Sequence, residues 1–540
     1  MAWVTVFYDD PLTLLETKLE DPMRTPITHE STAISEGSQA QPEIGNALIR
    51  HFLPVVGGLL LGALIYFIFP DTISDSLRET FAAKNMDVTR HDLAITAAIA
   101  VVMGLWWMTE AIPLPATALL PLIAFPAFGV VPIKAAAAPY ASDTIFLFMG
   151  GFFLALTMQR WNLQRRIALI TVLLVGTRPK RLILGFMIAT GFLSMWVSNT
   201  ATAVMMLPIG LSILNTVGNV SDDGANTTLR YPKFATALML GIAYSASIAS
   251  LSTLIGTPPN VLLRAYLQET HGITLSFGQW MLFAAPMAWT FLLLAWAVLV
   301  RIYKPEIDDI PGGKAIIQHE LAAMGKMTVQ EIMVGVIFIG AGLAWIFLPV
   351  IWPETPINDS GIAMIVSLLL FVTPAKPKQG IALLDWNTAK DIPWDILILF
   401  GGGLSLSSAF GSSGLSLWIG DQAQILAGLP LVVIVVIITA LIIGLTEMTS
   451  NTATAAAFLP IIGAVAVGMG VPVEALVIPV ALAATCAFML PVATPPNAIA
   501  YSSGFIKIRQ MMKAGMRLNI ISIALITVLT VWVGPLVFDY

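Results

Sequence analysis

Of the 540 residues, 57% are hydrophobic and only 11% are charged, and the mean hydropathy is +0.85. A soluble domain carries about 25% charged residues and 45–50% apolar ones, so this composition excludes a soluble fold. The net charge of −5 is small and says nothing about partners, and no basic patch interleaved with aromatics points to nucleic acid.

The apolar runs are continuous and helix-length rather than alternating, which predicts helical spans and not a β-barrel. Residues 1–47 are polar, rich in Ser, Thr, Glu and Pro, and lack periodicity. They are expected to form a disordered cytoplasmic tail, and with no apolar stretch behind a basic start they are not a signal peptide. A leading span is expected over Phe52–Phe69, inside a segment 48–90 that includes the following loop. Runs at Leu93–Met108 and Leu114–Val131 flank the sequence WWMTEAIPLPAT, which predicts a sharp aromatic-rich turn at the membrane interface. Asp143–Met158 follows.

Leu182–Val217 is apolar but interrupted by Ser198-Asn199-Thr200. The fifteen residues before that motif make about 22 Å of helix, short of the roughly 20 residues a span requires. The reading is a re-entrant hairpin with the motif at its tip. The next run, at about 234–268, is broken by Gly256-Thr257-Pro258-Pro259-Asn260, and two prolines cannot continue a helix. Trp280–Val300 closes this half, and the polar residues 303–327 form a cytoplasmic linker.

The second half repeats the order. Val329–Ile351, Gly361–Val372 and Ile396–Leu417 precede a hairpin at about 429–464, whose tip is Ser450-Asn451-Thr452. A run at about 473–506 is broken at Ala493-Thr494-Pro495-Pro496-Asn497, and Ile520–Phe538 ends the chain. Gly150 and Gly402 lie 252 positions apart, as do Ser198 and Ser450, and Thr257 and Thr494 lie 237 apart. Repeat 1 is therefore placed at 91–302 and repeat 2 at 328–540. An odd number of spans in each, five plus a hairpin, inverts the second copy relative to the first. Lys and Arg concentrate in loops on the side of the N-terminus, and the loops at 270–277, 352–360 and 413–428 hold none. That bias places the N-terminus in the cytoplasm and the C-terminus outside, with the 71–91 loop as the exception. Compact loops and the end at Tyr540 suggest a bacterial inner membrane.

Hairpin tips and broken helices at mid-membrane depth offer carbonyls and hydroxyls to a cation, and helix N-termini to an anion. Ser194 and Ser198 share a helix face at i, i+4, and Thr446 and Ser450 repeat that spacing. With Asn199 these are neutral, hard oxygen donors, suited to Na⁺ rather than a transition metal. Ser198, Thr200, Ser450 and Thr452 hydroxyls and the Asn199 and Asn451 amides can donate to an anion. No Lys or Arg lies in Leu182–Leu229 or Gln422–Ile506, so helix ends and co-bound cations must neutralise it. One Ser-Asn-Thr in a membrane helix would serve only to bond a neighbouring helix. Two copies, each followed by a Thr-Pro-Pro-Asn break, point to a site.

Among other candidates, Glu110 adjoins a turn and suits an interface, Glu447 a buried partner role, and Arg264 a structural ion pair. The FMGG and FGGG runs lack the Lys-Ser/Thr of a phosphate loop and suit close helix packing. Cys486, the single cysteine, sits in an apolar stretch and reads as a small core residue. Asn358-Asp359-Ser360 matches a glycosylation acceptor. No nucleophile-and-base arrangement suggests an enzyme.

These motifs, together with FMGGFFLALTMQRWNLQRRIAL and WWMTEAIPLPATALLP, resemble the divalent anion/sodium symporter family over about residues 50–540. The resemblance implies an all-α polytopic fold of about eleven transmembrane helices: a leading helix and two inverted five-helix repeats, each with a re-entrant hairpin and a broken helix. It implies a homodimer that carries Na⁺ and a dicarboxylate across a lipid bilayer by an elevator motion. A first sodium site would use Ser194, Ser198, Asn199 and the Gly256 backbone. A second would use Thr446, Thr449, Asn451 and the Ala493 backbone. Substrate carboxylates would meet both Ser-Asn-Thr tips, with Thr257, Thr494 and Pro495 nearby. The expected function is Na⁺-coupled import of C4-dicarboxylates such as succinate, malate or fumarate. A sodium-independent exchanger, or a citrate or sulfate carrier of the same fold, is the alternative, and a channel is disfavoured by the internal repeat.

Overall fold

Proline and glycine positions decide where this helical chain breaks. The computed structural model describes residues 41–540 other than 177, 217–219, 224–225, 310–312 and 539–540. The chain divides into Met1–Arg50 and His51–Tyr540, and the description below concerns the second unit. The expected tail at 1–47 lies largely outside the described residues. From Gln41 the backbone is helical through Ile68, so the leading helix begins earlier than the apolar run.

Apart from two small two-stranded pairings, the regular structure among the described residues is helical. Among the described residues, eight helices are long and apolar enough to cross a membrane, including Arg90–Thr109, Phe277–Ile302, Val329–Ile351 and Ile508–Phe538. The Leu114–Val131 run is not one helix. It divides into Leu114–Thr117 and Leu120–Ala127 just ahead of Pro121, which has no backbone donor to continue the first helix and sits in the first turn of the second. The last helix starts at Ile508, twelve residues before the apolar run. Its first turns carry Arg509 and Lys513, so hydropathy alone places the start too late. The 303–327 linker also holds a helix, Gly313–Ala323.

The loop that breaks the charge rule has a local reason. Arg90 pairs with Asp71 at 3.1 Å, and its Nη2 donates to the carbonyls of Tyr66 at 2.8 Å and Phe69 at 2.9 Å. A cation here satisfies the C-terminal carbonyls of the leading helix, the negative end of its dipole. At Glu110 the chain turns in the left-handed region with φ 49°, and the side chain is exposed. The glycine runs mark close approaches: a Cβ on Gly150 would meet the Ala363 carbonyl at 2.8 Å, and one on Gly402 would overlap the Ala118 carbonyl.

Two hairpins carry the Ser-Asn-Thr motifs. The first is Pro179–Ser194 followed by Asn199–Thr216, and the second is Leu431–Thr446 followed by Asn451–Met469. Each entering helix has only 16 residues. Two broken helices complement them: Pro232–Ser250 and Pro258–His271 on either side of the first Pro-Pro, and Val473–Ala484 and Pro495–Ser502 around the second. The helices leading into the breaks lie at the centre of the core, with every residue of Val473–Ala484 except Glu474 buried. Asn199–Thr216 packs against Pro495–Ser502, and Asn451–Met469 packs against Pro258–His271. Each hairpin thus meets the broken helix of the other half.

Candidate functional site

Four helices begin at these breaks, at Asn199, Pro258, Asn451 and Pro495. Each N-terminus carries unpaired amides and the positive end of a helix dipole. The side chains at the hairpin tips are arranged in the same way in both halves. Ser194 Oγ donates to Asn199 Oδ1 at 2.8 Å and to the Ala246 carbonyl at 2.7 Å. Thr446 Oγ1 donates to Asn451 Oδ1 at 2.8 Å and to the Ala484 carbonyl at 2.7 Å. In each case a fully buried hydroxyl joins the hairpin tip to the helix leading into the break of its own half. The result is a triplet of neutral, hard oxygens, one hydroxyl, one amide and one carbonyl, of the type that could hold an alkali cation.

Ser198 stands at the start of its helix, and its Oγ accepts from the Ala201 amide at 3.3 Å. The Ser450 carbonyl accepts from Thr454 Oγ1 at 3.0 Å. Thr449 Oγ1 bonds Thr454 Oγ1 at 2.7 Å and donates to the Leu445 carbonyl at 2.9 Å, so it is not joined directly to Thr446 or Asn451. Thr200 is exposed whereas Thr452 is buried. Asn199 Nδ2 donates to Ser250 Oγ at 3.3 Å. A Cβ on Gly256 would overlap the Ser250 carbonyl, so only glycine lets the first break fold back this closely. Gly256 is thereby connected to Asn199 through Ser250. Ala493 is buried, and its amide donates to the Leu490 carbonyl at 3.3 Å. Thr494 Oγ1 accepts from the Asn497 amide at 3.3 Å, and Pro495 opens the final short helix with its ring exposed.

Thr485, Asn260 and Asn497 were not among the expected site residues. Thr257 Oγ1 and Thr485 Oγ1 lie 3.3 Å apart and join the two breaks directly. Asn260 and Asn497 staple their breaks shut. Asn260 Nδ2 donates to the carbonyls of Leu251 at 3.3 Å and Thr253 at 2.8 Å, and Asn497 Nδ2 to those of Ala487 and Leu490, both at 3.1 Å. That satisfies carbonyls which unwinding would leave unpaired in a buried place. The conserved spacing of Asn three residues after Thr in both Thr-Pro-Pro-Asn words is the signal that could have pointed to it.

Glu447 takes the buried partner role. Its carboxylate accepts from the amides of Phe488 at 2.8 Å, Met489 at 3.0 Å and Leu490 at 3.2 Å, and from Asn519 Nδ2 at 2.7 Å. Arg264, 2% exposed, pairs with Asp359 at 3.6 Å and donates to the Leu275 carbonyl at 3.1 Å. Asn358 caps the helix Asp359–Val372 and bonds Asp143. Beside the site a cavity of about 340 Å³ is lined by Val204, Met205, Pro208, Ile209 and Ser212, with the Arg165–Glu320 ion pair at its wall.

The model of the sodium:sulfate symporter transmembrane region matches residues 86–539. A sodium-dependent dicarboxylate transporter, SdcS, of Staphylococcus saprophyticus is 43% identical over 88% of this chain and 91% of its own length. Its counterpart in Staphylococcus aureus (strain USA300) is 41% identical over 89% of this chain and 91% of its own. Among solved structures, Neisseria gonorrhoeae MtrF superposes with a TM-score of 0.50 at 14% identity, covering 89% of this chain and 94% of that one, a likeness of fold alone. The family match spans the hairpins, both breaks and every helix between them, and the chain belongs to the sodium:sulfate symporter family, the divalent anion/sodium symporters: it is an integral membrane transporter, not an enzyme.

Proposed function

We propose that this protein couples Na⁺ entry to the import of C4-dicarboxylates such as succinate, malate or fumarate. The observation that carries the reading is the doubled hydroxyl–amide–carbonyl triplet, Ser194/Asn199/Ala246 and Thr446/Asn451/Ala484, each beside the start of a helix at a hairpin tip. Each triplet suits one sodium ion. Gly256 and Ala493 would add backbone oxygens to the first and second sites, and Ser198 and Thr449 their hydroxyls. The helix N-termini, with the hydroxyls of Thr200, Thr257, Ser450, Thr452 and Thr494 and the backbone at Pro495, suit the two carboxylates.

With no Lys or Arg from Leu182 to Leu229 or from Gln422 to Ile506, a dianion gains its countercharge from the sodium ions. Sodium binding first would therefore complete the anion site, which is the physical basis of coupling. If more sodium charge enters than anion charge, the membrane potential adds about 2.3 kcal/mol per charge per 100 mV. The names of the staphylococcal relatives, sodium-dependent dicarboxylate transporters, support this choice of ion and substrate class.

The reading extends to the whole molecule. Two inverted repeats would place the hairpin tips on opposite sides of one midplane site, and rigid movement of that site against the remaining helices would give elevator-type alternating access within a homodimer. A bacterial inner membrane with the N-terminus in the cytoplasm suits the charge distribution. Purified protein in liposomes tests the function. Uptake of labelled succinate, malate and fumarate should require an inward Na⁺ gradient, and unlabelled C4-dicarboxylates should compete better than citrate or sulfate. Succinate counterflow in the absence of Na⁺ would identify an exchanger and overturn the reading.

A further inference from the structure

The two cation triplets are alike, but their surroundings are not. In the first half the break after Ser250 is held by neutral groups: Thr253 Oγ1 donates to the Met195 carbonyl, Trp280 Nε1 to the Leu251 carbonyl at 3.0 Å, and Asn260 spans Leu251 and Thr253. In the second half the residue at the corresponding hairpin position, 252 further on, is Glu447 rather than Met195. It is 6% exposed, and among the described residues its carboxylate pairs with no basic side chain. All its bonds are to four N–H donors: three consecutive amides of the unwound chain, Phe488, Met489 and Leu490, and the Asn519 side chain from the last long helix.

Burying a carboxylate without a cation is costly unless every lone pair is taken up. Four charge-assisted bonds do that here. They also bind three things into one unit. Glu447 follows Thr446, whose hydroxyl holds Asn451 and the Ala484 carbonyl. The Leu490 amide is held by the carboxylate, while the Leu490 carbonyl accepts from Ala493 and from Asn497 Nδ2. The chain bearing Ala493 is therefore located relative to Thr446 by the carboxylate of the neighbouring residue. The same group leaves a negative charge beside this triplet which the first triplet lacks, in surroundings where charge interactions are weakly screened.

We propose that Glu447 is a positioning residue for the second cation site, clamping Phe488–Leu490 to the tip of the second hairpin and making that site the tighter of the two for Na⁺. This rests on the sodium-coupled reading above and concerns which of its two sites is the stronger and why.

Glu447→Gln keeps the shape but replaces one acceptor oxygen with an NH₂ facing N–H donors. In proteoliposomes of the full chain, the variant should need at least about tenfold more Na⁺ for half-maximal succinate uptake, the usual scale for outer-sphere partners of a metal ligand. Succinate half-saturation, measured at saturating Na⁺, should stay close to wild type. Glu447→Asp keeps the charge but is one methylene shorter, and should fall between the two. A general loss of packing would lower the maximal rate without this selective rise in the sodium requirement. Should Glu447→Gln not yield monodisperse protein, Asn519→Ala, which removes one donor, should shift sodium activation in the same direction by a smaller factor. Wild-type sodium activation in whichever of these variants folds overturns the proposal while leaving the function intact. Wild-type uptake indifferent to Na⁺ overturns both.

Discussion

At the scale of single residues, the two triplets give Asn199 and Asn451 the same task. Each amide oxygen receives a buried hydroxyl and stands at the first position of a helix that opens onto the site. Neither copy can substitute for the other if each holds its own ion. Asn199→Ala and Asn451→Ala should each reduce Na⁺-driven succinate uptake to the level of empty liposomes, while the protein elutes as wild type from a sizing column. Normal transport by either variant would remove these residues from the site. Thr446 allows a graded version of the test. Thr446→Val keeps the β-branched shape but leaves the Asn451 amide oxygen and the Ala484 carbonyl without their shared donor. An unsatisfied buried partner costs about 1–3 kcal/mol. Expressed as sodium affinity, that is roughly 5- to 150-fold, since each 1.4 kcal/mol is a factor of ten. Thr446→Ser keeps the hydroxyl and should remain within a small factor of wild type. Equal behaviour of the valine and serine variants would show that the hydroxyl itself contributes nothing.

At the scale of elements, the Arg264–Asp359 pair ties the second part of the first broken helix to the helix Asp359–Val372. Both partners are buried, and Asp359 Oδ2 also accepts from the Phe277 amide at 3.0 Å, at the start of Phe277–Ile302. Removing one partner leaves an uncompensated buried charge, at about 3–5 kcal/mol. Asp359→Asn should therefore lower the unfolding midpoint of the detergent-solubilised protein markedly, and the double variant Asp359→Asn/Arg264→Met should recover part of the loss. Two losses that simply add would show that the two groups are not coupled. The ion pair was legible in the sequence only as a charged residue too deep to stand alone; its partner, 95 positions away, was not. The same division runs through the fold. The helix breaks were legible because Pro-Pro and Ser-Asn-Thr are local words with local consequences. Ser194 with Asn199, and Thr446 with Asn451, were within reach for the same reason: both members lie on one hairpin. The Ala246 and Ala484 carbonyls were not, because a main-chain acceptor has no side-chain signature and each is brought in from another helix. Glu447 was placed correctly as a buried partner, but its partners are backbone amides, equally silent in a sequence. Prolines hid inside the apolar run after Leu114, and basic residues hid the start of the last helix at Ile508, since hydropathy reports solvent preference and not where a helix begins or ends.

At the scale of the whole molecule, the two halves match in construction and differ in exposure. On the second helix of the first hairpin, Thr200, Val204 and Pro208 form one exposed stripe, with Val204 at 53%. The corresponding residues of the second hairpin, Thr452, Ala456 and Pro460, are buried, Ala456 at 2%. Val204 and Pro208 also line the 340 Å³ cavity beside Arg165 and Glu320. The alternating access proposed above would require two conformations that exchange these exposures, and an unequal pair is what either of them would look like alone. Arg165 in the basic RWNLQRR segment, and the linker that bears Glu320, place the open stripe on the cytoplasmic side if the charge rule holds. Single cysteines can test this directly, because native Cys486 is buried at 1% and contributes little background. A membrane-impermeant maleimide should label Val204→Cys in inside-out vesicles and leave Ala456→Cys unmodified in the conformation described here. In right-side-out vesicles, Na⁺ and succinate should change the labelling rate at position 456, because substrate cycling must expose the second hairpin from the other face. Equal labelling of both positions from one side, unaffected by Na⁺ and substrate, would mean that the exposed stripe is a fixed crevice and that the two halves do not alternate.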